Sequence, residues 1–444
     1  MRAVWDRLSR WQMATFVLIA VGLFCNRTFA AELPEELAAA LQQNVADLDP
    51  CGVSWTEQYE PPPEIDRRAA IDGLGVEEPT ETYFAPRVYR ICWNAGRIYQ
   101  SSINPVIDAD GHLATDASET AFDGAIFYLG KPNPGGVKRK RVRQPRLLKD
   151  SVDTLIKMNG AYAQYMVTDY FENAGFRLPC RAHEFRAPTF RSVIAALMLE
   201  KGDLTSVARE TLRGKIVACV RITAENPEWR EAQETDIEAR DKLLRKSGNS
   251  KQQNADELDW IRKRRELPPQ RLFAFYLDPT LRYAVSRREE RYPDGRLIST
   301  CDCSDFHQVP GRGVWLPRRC VVQNYSSASA VGKVSATPLM LQTFVLNSCS
   351  AKEISQTQFV LNYTKAGTMV SDTTGIDDST KDVATTYIVP ARPEDLDRAI
   401  EDAKWRATTQ SGWSRSSLVF IILSVVFVVA AVWLFIARRR QLAR

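Results

Sequence analysis

Histidine, cysteine and one dense basic run are the residue types on which chemistry would rest in this chain. His112, His183 and His307 stand far apart without partners at metal-ligand spacing. No His-Glu-x-x-His, Gly-x-Ser-x-Gly or phosphate-cradling glycine loop occurs. A triad assembled only in space remains compatible with the pattern, but no nucleophile stands out. The reading is therefore no catalytic residue, no cofactor and no metal. Asp108, Asp110 and Asp116 offer hard oxygens around Gly111, yet their spacing falls short of a calcium loop, and Asp-Gly is first of all a turn. Cys51, Cys92, Cys180, Cys219, Cys301, Cys303, Cys320 and Cys349 are widely and irregularly spaced without a Cys-x-x-Cys, which disfavours zinc and leaves disulfides or small buried hydrophobes. Cys301 and Cys303 share one face of a strand, and Cys320 lies on the next strand across a turn near residues 310–313. The expectation is a cross-strand disulfide from Cys301 or Cys303 to Cys320. Lys138, Arg139, Lys140, Arg141 and Arg143 follow a Pro/Gly loop and are candidates for contact with an anionic surface; the plainer alternative is a solvated loop.

The two ends of the chain set where such residues would work. Arg2, Arg7 and Arg10 precede an apolar run from Met13 to Cys25, too short to span a bilayer, and Thr28-Phe29-Ala30 supplies small residues for a cleavage site. Residues 1–30 read as a signal peptide, with an uncleaved anchor as the alternative. Residues 417–437 carry no charge and are followed by Arg438, Arg439, Arg440 and Arg444. At 1.5 Å per residue this stretch is roughly 31 Å long, one hydrocarbon core. The reading is a single transmembrane helix with a cytoplasmic tail at 438–444 and the bulk of the chain exported. The net charge of +5 argues against nucleic acid as a partner.

Between the ends, Leu33 to Leu48 has helical periodicity, and Pro50 to Thr80 reads as irregular. Tyr83 to Gln100 and Gly124 to Leu129 read as strands, Leu147 to Phe171 as a broken helical segment, and Phe190 to Glu200 as a short helix stopped by Gly202. Lys215 to Thr223 alternates as a strand. Residues 225–270, dense in charge, read as a helical hairpin hinged at 247–250. From Arg271 onward, alternation, aromatic enrichment and Asp294-Gly295 predict an antiparallel meander, continued by strands at 338–348 and 358–363. Residues 373–416 read as a linker and a juxtamembrane helix beginning at Pro393.

The meander carries Tyr276-Leu277-Asp278-Pro279, Tyr283-Ala284-Val285, Ser304-Asp305-Phe306, Val314-Trp315-Leu316-Pro317 and Gly367-x-x-Val370-x-Asp372. With the upstream Phe171-Glu172-x-x-Gly175-Phe176-x-Leu178-Pro179, these residues resemble bacterial outer-membrane lipoprotein-sorting proteins of the LolA, LolB and RseB-like family, here as a membrane-anchored variant. The resemblance spans roughly 33–374 and rests on turn and packing motifs. It implies an α+β fold for residues 31–372, a curved antiparallel β half-barrel covered by helices, with an apolar cavity for acyl chains. The charged insertion at 225–270 has no counterpart in that pattern.

A sheet with one apolar face needs a cover, and the very apolar segment Val193 to Leu199 supplies one. If cover and sheet do not interdigitate, an acyl-sized cavity remains; if they do, the core is filled. Val193, Ile194, Leu197 and Met198 are the lipid-cavity candidates. Two functions follow. One is an anchored envelope protein that binds lipid or lipoprotein acyl chains. The other is an envelope sensor or interaction protein of the same fold working through a membrane or envelope protein partner. An exported hydrolase is a distant third.

Overall fold

The computed structural model describes residues 33–63, 65–68, 80–108, 110–132, 154–159, 169–177, 191–200, 202–246, 251–326, 334–352, 354–361, 366–372 and 385–412. The segments read as a signal peptide (1–30), a membrane span (417–437) and a tail (438–444), and the basic run at 138–143, lie outside these residues. Among the described residues, no helix is long and apolar enough to cross a membrane.

The chain opens with α1 (Glu35–Asp47), then β1 (Cys51–Glu60), the one-turn α2 (Thr80–Tyr83), β2 (Arg87–Asn94), β3 (Arg97–Ile107), β4 (Leu113–Phe122), β5 (Ile126–Lys131) and β6 (Thr154–Asn159). There follow α3 (Asp169–Asn173), β7 (Phe176–Arg177), β8 (Arg191–Ser192), α4 (Val193–Leu199), β9 (Asp203–Leu212) and β10 (Lys215–Glu225). Helices α5 (Pro227–Glu234), α6 (Ile237–Lys246) and α7 (Lys251–Arg265) precede β11 (Gln270–Asp278), β12 (Ala284–Arg291), β13 (Leu297–Gln308), β14 (Trp315–Asn324) and β15 (Met340–Ser350). Strands β16 (Met369–Asp372) and β17 (Thr385–Ile388) and helix α8 (Leu396–Gly412) complete it.

Among the described residues, fifteen strands form one open sheet in the order β17-β16-β6-β5-β4-β3-β2-β1-β15-β14-β13-β12-β11-β10-β9. Every pair is antiparallel except β6 with β16. The architecture is thus the expected α+β arrangement, an unclosed and almost wholly antiparallel sheet with helices against it. The closing step is β1 against β15, which brings the first strand beside the end of the meander.

Direct cross-strand partners share a face, so Val207, Val220, Phe275, Arg288, Cys301 and Val322 lie on one face of neighbouring strands. That face is covered by α1, α3 and α4. At one end of the strands α3 lies over Val53, Trp55, Ile91, Trp93, Phe127 and Phe344, all buried. Over β9–β12, α1 and α4 pack Leu37, Leu41, Ile194 and Leu197 against Val220, Ile222, Phe275 and Leu277. The opposite face is covered elsewhere, where α8 brings Ala403 and Ile400 against Ala121, Tyr128 and Tyr387.

Several local causes fix these pieces. Ser192 caps α4 by accepting a hydrogen bond from the Ala195 N–H at 3.1 Å. The Gly202 N–H closes its end on the Leu197 carbonyl at 2.8 Å. Helix α1 is tied to two turns through Asp47, which accepts from Arg282 at 2.9 Å and from the Gly313 N–H at 3.1 Å. Burial would raise the Asp47 carboxyl, but hydrogen bonds from Gln43, Arg282 and Gly313 overcome it and hold it below the usual carboxylate range. The charged segment is helical as expected, with α6 ending at Lys246 and α7 starting at Lys251 on either side of the predicted hinge, but its first arm is divided into α5 and α6 at Thr235-Asp236. Its helices are joined by the Arg240–Glu257 pair, and Arg271 anchors it to the sheet through Glu228 and Glu290.

Four expectations are corrected. Residues 51–60, read as irregular, form β1 at the centre of the sheet; Cys51, Val53, Trp55 and Glu57 alternate inward there. Within the predicted helical segment 147–171, residues 154–159 are a strand pairing with β5, and the described helix there is Asp169–Asn173. Of the predicted strand at 358–363, the described residues 358–361 are not strand; a 3-10 turn at Gln356–Phe359 buries Phe359 there. Residues 385–388, read as linker, extend the sheet as its edge strand.

Candidate functional site

The helix-covered face is divided along the strands. On its apolar half, Trp55 is stacked between Tyr89 and Tyr170, with ring centroids 5.5 and 5.4 Å away, and Phe171 meets it edge-on at 5.8 Å. Tyr170 also donates to the Pro317 carbonyl at 2.8 Å, which pins α3 to β14. Further along the same strands the face turns polar: Glu57 and Tyr59 on β1, Gln100, Ser102 and Asn104 on β3, Asp116, Ser118 and Thr120 on β4, and Gln342 on β15.

The polar half centres on Glu57, which is only 3 % exposed. Gln342 donates to it at 2.6 Å and to the Tyr59 hydroxyl at 3.0 Å. Burial, then the Glu57 charge, push the Tyr59 and Tyr89 phenols up. Asp169 at the start of α3 keeps contact with solvent yet sits deep among protein atoms. Loss of hydration, then the Glu57 and Glu172 carboxylates, push it up to about 6, opposed by Arg288. This acidic and phenolic group was not foreseen, because it depends on β1, whose alternation stands next to Pro61-Pro62-Pro63 and was masked by it.

The lipid-cavity candidates come together on α4. Val193, Ile194 and Leu197 are 7 %, 2 % and 9 % exposed, packed against α1 and the β9–β12 floor, with Met198 at the margin. Leu199 on the outer side of the helix is 68 % exposed. The helix carries no polar side chain over its whole length.

Cys301, Cys303 and Cys320 also come together. Cys303 lies directly opposite Cys320 in the β13–β14 register. The three are present as thiols, with Sγ atoms of Cys303 and Cys320 3.5 Å apart and those of Cys301 and Cys303 3.8 Å apart. The strand pairing follows the expectation, and the expected disulfide is not formed in this structure.

The remaining candidates stay apart. Lys138, Arg139, Lys140, Arg141 and Arg143 lie outside the described residues, as does His183. Asp108 closes a turn by accepting from the Asp110 and His112 N–H groups, while Asp116 pairs with Lys131 at 3.2 Å. Those carboxylates therefore serve a turn and an ion pair. His307 faces Arg318 at 3.4 Å across two strands of the meander.

No family model matches the chain. No curated protein matches it either. Among solved structures the chain is similar to a LolA superfamily protein from Nitrosomonas europaea, at 9 % identity and a TM-score of 0.33, over 73 % of this chain and 97 % of that one. It is also similar to a domain described as an outer membrane lipoprotein-sorting protein from Vibrio parahaemolyticus, at 9 % identity and 0.30, over 73 % and 94 %. A DUF1329 family protein from Desulfovibrio piger aligns at 8 % identity and 0.29, over 73 % and 95 %.

Proposed function

We propose that this is an exported, membrane-anchored envelope protein that holds a lipid or lipoprotein acyl chain on the helix-covered face of its sheet, where α4 now lies. The observation that carries the reading is α4 itself. It is seven residues long, wholly apolar, and laid over a strip of Val220, Ile222, Phe275 and Leu277. A helix this short is marginal by itself and owes its place to packing and its two caps. Its removal would leave an apolar trough of the kind that suits an acyl chain. The turn motifs of the meander, which resemble lipoprotein-sorting proteins, support the same reading.

The tether at 417–437 and the export signal at 1–30 complete the proposal: a domain held at a membrane rather than a diffusing carrier. A fluorescent fatty acid titrated into the detergent-purified full chain tests it. Saturable binding, displaced by unlabelled palmitate, is the expected result; no saturable binding would leave the second reading. In that reading the protein is an envelope sensor or interaction protein, favoured by the close packing of α4 and by the solvent-facing charged helices α5–α7.

A further inference from the structure

The geometry points to a closed metal site at the β13–β14 pair, in which Cys301, Cys303 and Cys320 hold a thiophilic d10 divalent cation of the zinc class. The three Sγ atoms all lie within 4.8 Å of one another. Two of the separations are 3.5 Å, Cys303 to Cys320, and 3.8 Å, Cys301 to Cys303. An ion bound at about 2.3 Å to each of three sulfurs holds them roughly 3.8–4.0 Å apart, so small shifts suffice to seat one. A disulfide would use two of these thiols and leave the third without a task. The site also escapes a Cys-x-x-Cys search, because on a strand the Cys-x-Cys spacing is what places two sulfurs on one face.

Charge and donors fit the same ion. Three thiolates around a divalent cation leave one net negative charge, whereas a monovalent ion would leave two in an apolar core. Arg288 lies directly opposite Cys301 on β12, on the same face, and supplies the compensating positive charge. A fourth donor stands at the end of α3. The Asn173 carbonyl accepts from the Cys303 thiol at 3.4 Å. The Asn173 side chain is 4 % exposed, and its Oδ1 is buried without a hydrogen-bond partner. The Asn173 backbone carbonyl, already against the Cys303 sulfur, is the donor that would complete a four-coordinate closed site. The surrounding Tyr170, Phe171 and Phe344 exclude water, so the site is structural: it fastens α3 to the meander. Binding exchanges the thiol protons for the ion and releases them to solvent.

The test uses the full chain purified in detergent under anaerobic reducing conditions. Elemental analysis and titration with Cd(II) should give one equivalent per chain, with a sulfur-to-metal charge-transfer band. Cys301→Ser and Cys320→Ser should lose the band, while Cys349→Ser keeps it. Should the two cysteine variants fail to fold, Arg288→Gln retains all three sulfurs and should weaken binding by about tenfold or more. Chelation should lower the melting temperature of the wild type and not that of Cys320→Ser. The proposal is overturned if peptide mapping of protein isolated without reductant or chelator finds a Cys303–Cys320 disulfide, if the reduced wild type takes up no metal, or if Cys301→Ser binds one equivalent unchanged.

Discussion

Replacing Leu197 by alanine should loosen the fold and tighten acyl-chain binding at the same time. Docked, Val193, Ile194 and Leu197 are 7 %, 2 % and 9 % exposed. At about 1.5–3 kcal/mol per fully buried side chain, lifting all three costs about 5–9 kcal/mol. A C16 chain entering the vacated strip gains up to about 12 kcal/mol before ordering costs. Before ordering costs the exchange nets at most about 3–7 kcal/mol, so the dissociation constant is no tighter than about 10 μM. Truncating Leu197 removes about 2–5 kcal/mol from the docked state alone. Apparent affinity scales with the fraction of protein whose site is open, so even 2 kcal/mol tightens binding roughly thirtyfold. The assay is a fatty-acid titration of wild type and Leu197→Ala, with near-ultraviolet circular dichroism as a check on the fold. A lowered melting temperature with unchanged or weaker affinity would refute the idea that α4 and the ligand compete for one place.

Three further outcomes are expected. Gly175 has φ +95°, and a Cβ there would stand 2.6 Å from a Val285 methyl; Gly175→Ala should therefore cost about 1–3 kcal/mol in strain and similar in overpacking, read by chemical denaturation. Asp47 is held below its ordinary pKa, so its contribution is present above the unfolded carboxylate pKa and lost as pH falls through the folded one. Asp47→Asn should cost about 1–3 kcal/mol at pH 7, and the gap to wild type should close toward pH 3 in parallel melting curves. A reporter active only outside the cytoplasm should work when fused just before Ser417 and be silent after Arg444; the reverse pattern would contradict the orientation drawn from the arginine cluster.

What the sequence disclosed depended on how local each signal was. Helix α1, the short apolar α4 with its Gly202 stop, the meander with its Asp294-Gly295 turn and the charged hairpin all announce themselves within a dozen residues. Strand β1 alternates just as clearly, but its neighbours in the sheet, β2 and β15, are far along the chain, and the prolines after it suggest a loop. Strand β6 is placed by pairing with β5 and, in parallel, with β16, contacts that no local window contains. Strand β17 is four residues of mixed character that owe their conformation to an existing sheet edge. The same holds for the sites. The Cys303–Cys320 pairing follows from hairpin register, whereas the group around Glu57 and Asp169 joins β1, β15 and α3 and could not be assembled without the fold.

Native mass spectrometry of the full chain, released from its own membranes in mild detergent, would reveal directly whether an acyl chain is bound. Acyl lipid should co-purify at stoichiometric mass and be more abundant in Leu197→Ala than in wild type. A lipid-free chain in both proteins, recovered instead with a stoichiometric protein partner, would contradict acyl binding and leave the sensor reading in its place.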